Sequence, residues 1–321
     1  MKSGRSEQLK ETENQPLVSI GLPTYNGEKR ITSTLTTLLN QHYPNLEVLI
    51  SDNCSSDNTE AVCTEFCKTN RAFKYFRQEE NIGIIPNFEF VLGKATGDFF
   101  MWVADDDSLE PGILQKYVDF LVSHSDYSLV SGVIRYWSDS IPVFDETNFG
   151  IEHASGDARV LSYYSKVKHG AIFYGLMPME VAKTIKLKNR MGEDWHVVSK
   201  IAYLGRIKML KCIGYHKRLN GSSKTLKQYA KMIGAPWFSA NFPHIQIAID
   251  AFLEIMTSSV YRKRLLHSRI ILGLSSAGSI LFNHYCKEYP FIIGGKIARL
   301  LGIKKRIRDS SPSSFKKEWA S

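Results

Sequence analysis

The chain has 321 residues, 43% of them hydrophobic and 23% charged, with a formal net charge of +9. This is the composition of a globular protein with a sizeable core, which excludes a collagen-like or wholly disordered chain. The five cysteines (Cys54, Cys63, Cys67, Cys212 and Cys286) are odd in number and form no CxxC pair, so neither a disulfide framework nor a zinc ribbon is indicated, and a reducing, cytosolic setting is expected.

Residues 1–15 are polar and mixed in charge, without the apolar stretch of a secretory signal, and read as a disordered tail. Residues 17–22 are short, apolar and closed by Pro23, the pattern of a buried strand. Ile31, Leu35, Leu38 and Leu39 then recur at helical spacing. Residues 46–50 form a second strand that runs into Ser51-Asp52-Asn53, and residues 58–66 a helix. A third strand is expected at 73–76, a turn at 81–87, a helix near 88–92 and a strongly apolar strand at 99–104. Pro111 suits the first turn of the helix that follows.

Further on, residues 128–135 and 206–215 read as strands, 142–157 as loops, and 178–186 and 194–204 as helices. Alternation of strand and helix argues for an α/β domain with a mostly parallel sheet, in which ligands bind beyond the carboxyl ends of the strands. Those ends carry Thr24-Tyr25-Asn26, Asp52-Asn53 and Asp105-Asp106-Asp107.

Three adjacent carboxylates repel one another unless water or a cation screens them. At a strand end they offer hard oxygen ligands for Mg²⁺ or Mn²⁺, which would bridge to a diphosphate; the alternative is a solvated loop capping the next helix. Asp52 can accept hydrogen bonds from a ribose or base edge, or serve as a turn residue. The Thr24–Gly27 turn offers backbone N–H groups and an aromatic face. Of Glu193-Asp194, one carboxylate can take a proton from an acceptor hydroxyl, or both simply open a helix. No GxxxxGK[ST], GxGxxG or GxSxG pattern occurs, which excludes P-loop, dinucleotide-binding and nucleophile-elbow readings.

Residues 16–223 resemble the family 2 glycosyltransferases, which have the GT-A nucleotide-diphospho-sugar transferase fold. The resemblance rests on five segments in order. They are Val18 to Asn26, Ser51 to Thr59, Asn81-Ile82-Gly83 with Asn87, Ala95 to Asp107, and Gly192-Glu193-Asp194. It implies an inverting enzyme that moves a sugar from a nucleotide-diphosphate donor to an acceptor hydroxyl in surface polysaccharide or glycolipid synthesis. Pro23, Thr24, Tyr25, Asn26, Asp52 and Asn81 would hold the nucleotide-sugar, with Asp105 beside them. Asp106 would hold the diphosphate and, with Asp107, a Mg²⁺ or Mn²⁺ ion. Asp194 would be the base, with Glu193 and His216 on the acceptor or phosphate side.

Two positions depart from the family pattern. Ala104 stands where an aspartate is common, and Tyr215-His216-Lys217-Arg218 exchanges the usual Arg and His positions. A catalytically inactive nucleotide-sugar-binding or membrane-associated scaffold is the alternative reading.

The expected organisation is a tail at 1–15, a catalytic domain at 16–225 divided into a nucleotide-binding half (16–110) and an acceptor half (111–225), and a basic amphipathic helical region at 226–321. Residues 245–321 hold 13 Lys and Arg against 5 Asp and Glu, which suits an anionic membrane surface and equally a helical subdomain packed on the catalytic domain with a solvated basic face. The expected partners are the donor, a saccharide or lipid-linked acceptor and that surface, with no nucleic acid. The expected location is the cytoplasm, at the inner face of the membrane.

Overall fold

Strand β1 (Val18–Thr24) is buried along its whole length. In this computed structural model, which describes residues 15–138, 140–147, 149–219 and 226–286, it pairs in parallel with β2 (Leu46–Asp52) on one side and β4 (Phe99–Trp102) on the other. A strand flanked and covered in this way reads as one continuous apolar run, as residues 17–22 do. β3 (Phe73–Arg77) extends the sheet in parallel, and the short β8 (Met177–Pro178) closes the far edge antiparallel, giving the order β3-β2-β1-β4-β8. Helices α1 (Ile31–Leu39), α2 (Thr59–Thr69) and α3 (Ile84–Lys94) connect the strands. α1 turns Ile31, Thr34, Leu35 and Leu38 inward at intervals of three and four residues.

A second sheet has the order β5-β9-β6-β7, from β5 (Ser108–Leu109), β9 (Arg206–Arg218), β6 (Tyr127–Ser138) and β7 (Ile141–Glu146). Tyr117 of α4 (Ile113–Ser123) accepts the Gly132 N–H at 2.6 Å, and a Cβ on Gly214 would collide with its hydroxyl. Only glycine fits there.

Residues 142–157, expected to be loops, contribute β7 and the start of α5 (Gly156–Lys166). β7 is an edge strand, which tolerates Pro142 and Asp145 and so lacks a clean alternation. Its anchor is Phe144 stacked on Tyr136 at 4.3 Å. The helix expected at 178–186 is one turn, α6 (Met179–Ala182). Beyond it the Thr184 and Ile185 N–H groups bond three residues back, to Val181 and Ala182, and the Thr184 hydroxyl also takes the Val181 carbonyl at 2.7 Å. Helix α7 (Glu193–Leu204) leads into β9.

The described residues fall into two compact units. The first takes in those within Met1–Val160, Lys168–Asn189 and Glu193–Gly221, and the second those within Leu161–Val167, Arg190–Gly192 and Ser222–Ser321. The second unit is helical, with α8 (Leu226–Met232), α9 (Trp237–Asn241), α10 (Pro243–Thr257) and α11 (Leu266–Leu281). Among the described residues no helix is long and apolar enough to cross a membrane. The tail expected at 1–15 lies outside the described residues except for Gln15, as does the basic segment beyond residue 286.

Candidate active site

The parallel register of the first sheet decides where the polar strand ends meet. Thr24 pairs with Asp52, and the Val103 N–H reaches the Gly21 carbonyl at 3.0 Å. The chain therefore leaves β1, β2 and β4 at one edge, with Thr24–Asn26, Asp52–Asn53 and Asp105–Asp107 side by side. Asn87 ties β1 and β2 there, because its side chain bonds the Ser51 hydroxyl and donates to the Ser51 and Thr24 carbonyls.

Asp52 is fully buried, and its carboxylate is saturated by the chain itself. It accepts from the Ser55 N–H and hydroxyl, from Tyr75 at 2.7 Å and from Arg77 at 3.0 Å. Asp52 therefore shapes the loop and holds Arg77 rather than presenting a free acceptor. Asn53 performs the same service for Asn81, donating to its side chain at 2.9 Å and accepting from Ile82. Asn81 and Tyr25 stay exposed, whereas Thr24 is buried. Asn26, at φ 50°, turns the chain in the left-handed region that Asn tolerates, and accepts the Ser56 N–H at 2.9 Å. Pro23 lies within β1, opposite Ser51.

The three aspartates have three different environments. Asp105 is clamped by Arg30, whose Nε and Nη2 donate to its two oxygens at 2.9 Å each, and it accepts the Thr24 hydroxyl at 2.5 Å. Asp107 is buried and accepts from Tyr215 at 2.9 Å, Lys217 at 3.1 Å and the Arg218 N–H at 2.8 Å. Asp106, between them, accepts no hydrogen bond from a described residue. Burial and the Asp107 carboxylate push it up to about 6, against the charges of Lys217 and Arg30. A bound cation would relieve that repulsion.

β9 brings up the other side. Tyr215 stacks on Tyr174 at 5.2 Å, and the Lys217 ammonium lies 4.8 Å over the same Tyr174 ring. Burial alone would lower Lys217, but Asp107 and Asp106 outweigh it and hold the lysine charged, well above its ordinary range. His216 alternates to the opposite side of the strand. Its Nδ1 accepts from the Trp137 indole at 2.9 Å, which leaves Nε2 to carry the proton towards Glu110 at 2.7 Å. Lys217, not His216, is the side chain of this strand that meets the aspartate triplet, through Asp107.

Asp194 stands half-buried at the start of α7, while Glu193 is buried. Burial pushes the Asp194 carboxyl above its ordinary range, and the Trp195 N–H and the Lys217 charge pull it down in part. The space it occupies is left by Gly170, where a Cβ would collide with the carboxylate.

Arg30, Lys217, Tyr215 and Gly170 escaped the sequence reading. Arg30 sits at the start of an ordinary helix, and only its distance of 75 positions from Asp105 in sequence conceals the pair. The departure at residues 215–218 was the one signal pointing to Lys217.

Among the described residues no group of three or more His, Cys, Asp or Glu is arranged to hold a metal ion. The one open carboxylate of the triplet, Asp106, is an oxygen donor of the kind that suits a hard divalent cation. Asp107, expected as a second ligand, has both oxygens engaged by Tyr215, Lys217 and Arg218.

A mixed sheet of this order, carrying a free aspartate beyond its fourth strand, is the GT-A fold of nucleotide-diphospho-sugar transferases. Solved structures agree. The Staphylococcus aureus TarS 1-349 fragment superposes with a TM-score of 0.59 at 19% identity, covering 87% of this chain and 78% of that one. The mannosyltransferase PcManGT of Pyrobaculum calidifontis, solved with GDP-Man and Mn²⁺, gives 0.52 at 17% identity, covering 92% and 86%. The model described as Glycosyl transferase family 2 matches residues 19–183, and the chain belongs to that family. Among curated relatives, the GalNAc(5)-diNAcBac-PP-undecaprenol beta-1,3-glucosyltransferase of Campylobacter jejuni is 33% identical over 100 residues, 31% of this chain and 32% of that protein. The chain spans between 17% and 51% of the length of the curated relatives it matches.

Proposed function

We infer that this chain is an inverting glycosyltransferase that moves a sugar from a nucleotide-diphosphate donor to a hydroxyl of a saccharide or lipid-linked acceptor, in surface polysaccharide or glycolipid synthesis. The observation that carries this reading is Asp106. It is the one carboxylate of its triplet not consumed by the fold, and it sits with Asp194 in the reach of a single charged lysine.

In this reading the loop Pro23–Asn26, with Asn81 beside it, receives the nucleoside, and Tyr25 offers its exposed ring. Asp52 and Asp105 act by holding that loop, through Ser55 and Arg77 on one side and Thr24 and Arg30 on the other. Asp106 is the ligand for Mg²⁺ or Mn²⁺. When bound, such an ion neutralises charge growing on the departing diphosphate. The Lys217 ammonium adds to that neutralisation, held in place by Asp107 and Tyr174.

Asp194 takes the proton of the acceptor hydroxyl. The oxygen then bonds to the anomeric carbon on the face opposite the departing diphosphate, the carbon–oxygen bond to phosphate breaks, and the electron pair leaves with the nucleotide. One displacement inverts the anomeric centre, through an oxocarbenium-like transition state. Acceptor chemistry is supported by the undecaprenol-linked substrate named for the Campylobacter relative.

The test is donor binding and slow hydrolysis across UDP-, GDP- and dTDP-sugars, with and without Mn²⁺. Metal-stimulated hydrolysis of one donor, lost in Asp106→Asn, is expected. A folded protein that binds none of them would overturn the reading.

A further inference from the structure

Helix α11 carries large apolar side chains on its outer side as well as its inner one. Its 16 residues extend about 24 Å. The side turned inward carries Leu272, Gly273, Ser276 and Ile280. At Gly273 a Cβ would lie 2.7 Å from the Phe252 ring, so α10 crosses at a distance that admits no side chain. Further large apolar groups, the last of them just beyond the helix, face outward. Leu266, Ile270, Leu274 and Phe282 recur at intervals of four or eight, with Ile271 adjacent. Ile271, Leu274 and Phe282 are 63%, 61% and 57% exposed. α10 adds Ile249 and Leu253, each nearly half exposed. A helix in water turns such a stripe to a core, and an outward apolar stripe of this extent marks an interaction surface.

Charge tells the candidate occupants apart. Between residues 262 and 282 there are four basic residues, Arg262, Lys263, Arg264 and Arg269, and no Asp or Glu. A second copy packed through the same stripe would meet cations with no anions. The chain's own residues 287–321 hold nine Lys and Arg against three Asp and Glu, so they repeat the sign rather than complement it. An anionic lipid leaflet supplies both the apolar medium for the stripe and the opposite charge for Arg262 and Lys263, which are exposed just ahead of it.

We propose that the outer faces of α10 and α11 form a membrane-docking surface, in which the aliphatic stripe enters the headgroup boundary of an anionic bilayer and Arg262 and Lys263 pair with its lipid phosphates. The proposal is independent of the chemistry at Asp106.

The experiment is vesicle co-sedimentation of the full chain, which reads binding without any activity. Vesicles of phosphatidylcholine mixed with phosphatidylglycerol are expected to pellet the protein, and vesicles of phosphatidylcholine alone to leave it in solution. Reversing both charges, Arg262→Glu with Lys263→Glu, is expected to weaken partition by about tenfold or more, since each basic residue near the leaflet contributes about 1 kcal/mol. Ile271→Asp with Leu274→Asp should abolish binding while donor hydrolysis and the circular dichroism spectrum stay unchanged. Wild-type protein that stays in solution with anionic vesicles overturns the proposal. So does aspartate-substituted protein that pellets like wild type. Concentration-dependent dimerisation lost in the aspartate variant, without vesicle binding, would assign the stripe to a second copy instead.

Discussion

Arg30 meets Asp105 through two parallel hydrogen bonds of 2.9 Å, and the same guanidinium reaches the carbonyls of Tyr25 and Asn26 at 2.9 and 2.8 Å. One side chain therefore ties the loop beyond β1 to the loop beyond β4. Lysine keeps the charge but has no fork. Arg30→Lys is expected to lower the melting temperature by a few degrees, about 1 kcal/mol for a domain of this size. It should also raise the KM for donor about tenfold, with a smaller change in kcat, each ten-fold step being about 1.4 kcal/mol. Equal KM values for variant and wild type would show that the clamp does not shape the donor loop.

The two neighbours Asp106 and Asp107 should separate function from stability. Asp106→Asn removes a carboxylate that no described residue hydrogen-bonds and relieves its repulsion with Asp107, so thermal stability should hold or rise while turnover and its Mn²⁺ dependence disappear. Asp107→Asn leaves the partly buried Lys217 without its ion-pair partner. That variant should lose about 1–3 kcal/mol, the cost of charged hydrogen bonds lost at a buried carboxylate, read as a shifted denaturant midpoint. The reverse pattern, with Asp106 needed for folding and Asp107 dispensable, would refute this division.

A raised Asp194 holds its proton to higher pH than an ordinary aspartate. As the base it must be ionised, so kcat/KM should fall as pH drops through that raised value, well before an ordinary carboxylate would protonate. Removing the lysine charge that pulls it down, in Lys217→Met, should move this acidic limb to higher pH. Asp194→Asn should cost about 10²–10⁴-fold in kcat. Gly170→Ala, which puts a methyl into the carboxylate's place, should lower kcat with little effect on donor KM.

At the opposite end of the sheet, Glu47 of β2 is held low. Burial would raise it, but hydrogen bonds from Lys74, Ser19 and Thr96 outweigh burial and bring it to about 2. Its folded value is below its unfolded one, so its contribution is complete above the ordinary glutamate range and is lost as pH falls from there towards 2. Glu47→Gln should cost roughly 1–2 kcal/mol at pH 7, and the gap in melting temperature to wild type should narrow below pH 4. A gap that is constant with pH would exclude an ionised Glu47 as its source.

What local sequence determined is the frame. Residues 17–22, 46–50 and 99–104 are largely apolar runs ended by proline or by polar clusters. That pattern fixes buried parallel strands with their hydrophilic ends together, because backbone pairing and burial act over a few residues at a time. The positions of Asp106 and Asp194 at a strand end and a helix start were legible for the same reason. Which carboxylate remains free was not. Asp105 is consumed by a residue 75 positions away, and Asp107 by residues 108 to 111 positions away. A carboxylate's hydrogen bonds are saturated by whatever the folded chain brings within about 3 Å, so of three adjacent aspartates that look alike in sequence one is clamped, one braces β9 and one accepts no hydrogen bond from a described residue. The fold likewise put Lys217 on the Asp107 side of β9 and His216 on the opposite side, beside Trp137 and Glu110, through the two-residue alternation of a strand whose register β6 sets.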